Sequence, residues 1–79
     1  MLSGAQLRAA RALINWSASE VAEKCSSTRN TIERLEKSDG IPSSKIQTLL
    51  MIKKTFEEAG VEFIGSPDNG PGVRLKPKE

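Results

Sequence analysis

The six residues from Arg29 to Arg34, RNTIER, carry two guanidinium groups, one carboxamide, one hydroxyl and one carboxylate around a single isoleucine. Arginine can grip guanine through two parallel N–H donors, and asparagine can pair its donor and acceptor with adenine. Each such bidentate pair contributes roughly 1 to 3 kcal/mol of discrimination against a wrong base. Arg29, Asn30 and Arg34 are therefore candidates for reading base edges, and Thr31 is a secondary candidate for a thymine methyl or a phosphate. Glu33 either belongs to an ordinary solvated face or orients Arg29 or Lys37. The competing reading of the whole segment is a solvated charged surface with no ligand.

A shared face requires a helix. Ile32 and Leu35 fall on one side of a helix expected from about Arg29 to Lys37, with Thr28 as its N-cap. The preceding helix is expected over about residues 18 to 25. Ser17 and Glu20 form its capping box, Trp16 its hydrophobic staple, and Val21, Ala22 and Cys25 face inward. Ser26 and Ser27 make the turn between the two. Two short amphipathic helices hinged in this way can cross at a steep fixed angle, so that the second projects from the surface. A helix with its side chains fits a major groove ~12 Å wide. The small Ala22 suits the crossing point, because a large residue there would splay the pair. Helix N-termini bring free backbone amides to phosphates, which makes Ser17, Thr28, and Ser43 or Ser44 with Lys45 the candidate phosphate contacts.

The remainder of the chain supplies the support. Ser3 and Gln6 form another capping box, and Leu7, Ala10, Ala12, Leu13 and Ile14 recur at roughly helical spacing, so a first helix is expected from about Gly4 to Ile14. Asn15 breaks it. Ser38, Asp39 and Gly40 end the third helix, and Ile41 and Pro42 bridge. Ser43 or Ser44 caps a longer fourth helix to about Ala59, with Gly60 as its stop. Its buried side is marked by Ile46, Leu49, Leu50, Ile52 or Lys53, and Phe56, with Met51 near the edge. Alternation then replaces helical spacing at Val61, Glu62 and Phe63, and again from Val73 to Lys76, as in half-buried strands. The SPDNGPG stretch reads as a turn or loop, and Gly65 to Gly72 exceeds the usual hairpin loop, so pairing within one chain or between two stays open. Val61, Phe63, Val73 and Leu75, with Phe56 beside them, are the candidate dimer contact; the alternative is a tail that covers the fourth helix. The expected organisation is mainly α, with residues 1–60 as a helical domain and 61–79 as a β-hairpin or β-ribbon.

Composition narrows the chemistry. Seventy-nine residues make room for one small domain, and a net charge of +2 permits nucleic-acid binding without demanding it. The chain has no histidine and one cysteine, so it lacks a His-based catalytic triad and the usual zinc ligand sets. Its carboxylates fall singly or at helical spacing to basic residues, as salt-bridged surfaces do. SPDNGPG also lacks the Lys-Ser/Thr of a phosphate-binding loop. Neither an enzyme nor a cofactor is expected. Cys25 reads as a buried thiol, in keeping with a reducing, cytoplasmic setting. No apolar run approaches the ~18 to 20 residues of a membrane span.

Residues 4 to 59 resemble the Cro/C1-type helix-turn-helix family, the lambda repressor-like domains also called the XRE family. The resemblance rests on Ala22, the polar turn, the Thr28 cap, Ile32 at the helix crossing, and Leu35-Glu36-Lys37 with Gly40 closing the third helix. The Gly-rich segment ending in Val73-Arg74-Leu75 is similar to the short bacterial single-domain members. The resemblance implies a four-helix DNA-binding domain whose base contacts come from the first turn of helix 3 and from one residue a turn later. It also implies a salt bridge between Arg11 and Glu36, the alternative being two independent surface charges. Two departures stand out. Ser26 and Ser27 replace the family's glycine and apolar residue, so Ser26 must adopt a left-handed conformation at a cost of about 1 kcal/mol. Ala18 stands where many members carry a glutamine that holds both the backbone and the recognition helix. The function implied is a sequence-specific transcriptional regulator, a repressor or autoregulator, that binds operator DNA as a homodimer on two half-sites. The alternative is a protein-interaction module of the same fold, an antiactivator or antitoxin with a protein partner.

Overall fold

Each of the first three helices begins where a side-chain oxygen can accept a hydrogen bond from an orphan backbone amide. In this computed structural model, which describes residues 2–37, 46–66 and 69–76, helix α1 runs Gly4–Leu13, α2 Ala18–Lys24, α3 Arg29–Glu36 and α4 Ile46–Glu58. Ser3 Oγ accepts from the Gln6 amide at 3.1 Å while Gln6 Oε1 accepts from the Ser3 amide at 2.8 Å. Ser17 and Glu20 repeat the arrangement at α2, and Thr28 Oγ1 accepts from the Thr31 amide at α3. A lost cap of this kind costs about 1 kcal/mol. Asn15, at φ 58°, turns the chain out of α1 in a left-handed conformation that asparagine tolerates. Residues 38–45 lie outside the described structure, and with them the expected stop of α3, the Ile41-Pro42 bridge, and the Ser43 or Ser44 cap.

The core gathers on Phe56. Its ring lies 5.4 Å from that of Trp16 and 6.1 Å, edge-on, from that of Phe63. Around it Leu7, Val21, Ile32, Leu35, Ile52 and Val61 are fully buried. Such a cluster joins all four helices to the C-terminal strands, and aromatic pairs add to the area they bury.

On α4 the buried stripe is narrower than the sequence pattern indicates. Leu49, Ile52 and Phe56 are buried and Lys53 is half-buried, whereas Ile46, Leu50 and Met51 are 64%, 51% and 50% exposed. At about 100° per residue, Leu50 and Met51 have already rotated past the line joining Leu49 to Phe56. Ile46 stands at the first residue of the helix, off that line. Similarly, in α1 Leu7 and Ala10 are buried, but Ala12 and Leu13 face outward and Ile14 packs on the core from the side.

The C-terminal strands pair within the chain. Strand β1, Val61–Ser66, runs antiparallel to β2, Asn69–Leu75, with Val61 opposite Leu75, Phe63 opposite Val73 and Ser66 opposite Asn69. Most of the stretch expected to be a loop is therefore strand. Gly65 makes this possible: it sits in a register shift at φ 74°, and a Cβ there would collide with the carbonyl oxygens of Asn69 and Gly70. A bulge of this kind bends the ribbon without ending it. Buried Gln6 fastens the ribbon to α1, its Nε2 donating to Ile64 O at 3.0 Å and Gly72 O at 3.1 Å. Val61 is enclosed by its own chain, and Phe63 and Val73 pack partly buried on the same core. Of the four ribbon residues expected at a contact between chains, Leu75 alone is mostly exposed, at 52%. No helix among the described residues is long and apolar enough to cross a membrane.

Candidate nucleic-acid interface

The angle between α2 and α3 is set by what lies between them. Val21, Ala22 and Cys25 from one side and Ile32 and Leu35 from the other are all buried. Small Ala22 permits the close approach. Cys25 ends α2, its amide reaching back to Val21 O, and Ser26 follows at φ 55°. The Ser27 amide then donates to Ala22 O at 2.8 Å, so the reversal keeps its backbone bonded. Burial also pushes the Cys25 thiol up from its ordinary value, opposed by a hydrogen bond to Thr55 Oγ1. Protonated, it acts as one more apolar contact.

With Ile32 and Leu35 turned inward, Asn30 and Arg34 are exposed on the opposite side of α3, Arg29 is exposed at its flank, and Thr31 and Glu33 are intermediate. All four expected base-reading residues thus sit on one short helix. Thr31 Oγ1 lies 2.9 Å from Thr28 Oγ1, which ties its hydroxyl to the cap. Arg29 Nε donates to Glu33 Oε1 at 2.5 Å across one helical turn.

Beside this face, a cleft of about 320 Å³ opens between the start of α2 and the first turn of α3. Its walls are Arg11, Ser17, Ala18, Ser19, Arg29 and Glu33. The expected phosphate contacts Ser17 and Thr28 both lie at exposed helix starts, Ser17 on the cleft itself. Ala18 is buried, so the position where many family members carry a glutamine presents no polar group. Ser43, Ser44 and Lys45 lie outside the described residues.

Behind the interface, Arg11 and Glu36 form a two-pronged bridge, Nε to Oε2 at 2.7 Å and Nη2 to Oε1 at 2.9 Å. The Glu36 side chain is only 7% exposed and that of Arg11 29%. The hydrogen bond to Glu36 raises the Arg11 pKa, and desolvation opposes it. Arg11 Nη1 also donates to Trp16 O at 3.2 Å, and Arg8 donates to the Glu36 carbonyl. The two arginines of α1 therefore grip the C-terminal end of α3, where a cation also complements the helix dipole. The family resemblance implied the Arg11 bridge; the Arg8 contact was not expected, although its place one turn before Arg11 was the available signal.

A family model described as helix-turn-helix matches residues 7–46, from the middle of α1 through the first residue of α4. No curated protein matches the chain. The match spans more than half of the sequence and contains both helices and the turn whose geometry is described above. On that ground the chain belongs to the Cro/C1-type helix-turn-helix family of DNA-binding regulators.

Proposed function

We propose that the protein is a sequence-specific regulator that binds operator DNA as a homodimer and represses by occupying it. The observation that carries this reading is the division of α3, where Ile32 and Leu35 are fully buried while Arg29, Asn30 and Arg34 face outward together. In this reading Arg29, Asn30 and Arg34 read base edges in the major groove, with Thr31 offering its methyl to thymine. Ser17 and Thr28 hold phosphates through the helix starts, joined by Ser43, Ser44 and Lys45. One such head covers only a few base pairs, so a two-fold pair on half-sites one helical turn apart supplies useful specificity. Of the four ribbon residues expected at a dimer contact, Leu75 keeps the most surface to offer a second copy. Occupied base pairs are closed to other proteins, which is repression in its simplest form.

The test is fluorescence anisotropy on the chain's own promoter DNA at two salt concentrations, beside a random duplex. Binding through several phosphates weakens steeply with salt. Arg29→Ala and Arg34→Ala should each cost about 1 to 3 kcal/mol of preference. Equal affinity for promoter and random DNA, or unaltered binding by both variants, overturns the reading. The exposed Ile46, Leu50 and Met51 of α4 favour a second reading, a fold that holds a partner protein. An apolar protein interface would show little dependence on salt.

A further inference from the structure

Glu33 stands on the outward face of α3 among groups assigned to DNA, yet a carboxylate near phosphates is unfavourable unless it does something for its neighbours. Its Oε1 lies 2.5 Å from Arg29 Nε, and the two side chains are 39% and 68% exposed. Residues four apart on a helix share a face, so the pairing follows from the sequence spacing. On stability such an exposed pair has little effect. On recognition its geometry matters more. A guanidinium offers either its Nε edge or its two terminal Nη groups to a planar acceptor. With Nε already donating to Glu33, the terminal pair is the edge left for a guanine. The carboxylate also narrows the rotamers of a long exposed side chain before DNA arrives, which lowers the ordering cost of binding.

We infer that Glu33 is a positioning residue for base reading: it holds Arg29 by Nε and presents the two Nη groups to a guanine. This rests on the proposed reading of α3. The experiment selects the preferred duplex of the wild-type protein from a randomised pool. It then measures the preference at each base pair for Glu33→Ala, Glu33→Gln, Arg29→Ala and the double alanine variant. Glu33→Ala should reduce the preference for guanine at one base pair by about 3- to 10-fold, the size expected for losing one pre-ordered long side chain. Glu33→Gln keeps an acceptor for Nε and should restore most of it. In the Arg29→Ala background, Glu33→Ala should change nothing further, and melting temperatures should stay at the wild-type value throughout. The inference is overturned if Glu33→Ala tightens binding to every duplex equally with the preference intact, or if its effect persists without Arg29. A wild-type protein that selects no sequence overturns the reading of α3 itself, and Glu33 with it.

Discussion

Replacing Ser26 by glycine should make this protein more stable. Ser26 sits at φ 55° in the turn before α3, is exposed, and contributes its own amide to Glu23 O at 3.4 Å. Holding a residue with a Cβ in that region costs roughly 1 to 2 kcal/mol. Glycine removes that strain but gives up more freedom on folding, about 0.5 to 1 kcal/mol. Midpoint against midpoint, the difference favours Ser26→Gly by about 0.75 kcal/mol, since the amide hydrogen bond is kept and no buried contact is lost. An unfolding entropy of about 2.1 cal/mol/K per residue comes to about 0.17 kcal/mol/K for 79 residues. The melting temperature should therefore rise by about 3 to 6 °C. Thermal unfolding followed by far-ultraviolet circular dichroism measures it. Asn15→Gly, at φ 58°, serves as the graded control, because asparagine bears less strain there and the gain should be smaller. DNA affinity should hold steady, as the turn keeps its path. An unchanged or lower melting temperature for Ser26→Gly would refute the reasoning, because it would mean that the serine carries no strain in this turn.

Other substitutions probe the supports of the interface. Arg11→Leu leaves the buried Glu36 carboxylate without its partner and should destabilise by about 3 kcal/mol in chemical denaturation. The Arg11→Leu, Glu36→Leu double variant should recover much of that loss. Gly65→Ala drives a methyl into the backbone of Asn69 and Gly70 and should cost about 2 to 3 kcal/mol, read as early loss of amide protection in β1 and β2. For Cys25, burial raises the folded-state pKa, so the unfolded chain releases the thiol proton first. Stability should be fully present below the ordinary thiol value of about 8.5 and decline as pH rises above it, while Cys25→Ala should show a flatter alkaline limb. Native Cys25 should accordingly alkylate slowly at neutral pH and rapidly in denaturant.

Much of the fold was written in short-range patterns. The three helix starts followed from Ser3, Ser17 and Thr28, because capping needs only an oxygen and an amide within one turn. The buried set of α2 and α3 followed from helical spacing, and the left-handed Ser26 from the family resemblance, in which a glycine holds that position. Less was legible where distant segments meet. The pattern of α4 carries more apolar residues than the neighbouring segments cover, and nothing local tells Leu49 from Leu50. In the ribbon, the stretch from Gly65 to Gly72 read as a loop, yet in the structure Gly65 and Gly70, both at positive φ, lie within the strands.

The sequence by itself determined the helix-turn-helix, its inward residues and the charged outward face of α3, because caps, periodicity and side-chain chemistry act over a few residues. Only the tertiary structure decided that the ribbon closes on its own chain, with Val61 inside the core. It also decided that Gln6 reaches across to Ile64 and Gly72, and that Arg8 joins Arg11 at the end of α3. Those contacts join residues far apart in the chain, and their formation depends on how whole elements pack, which no local spacing encodes.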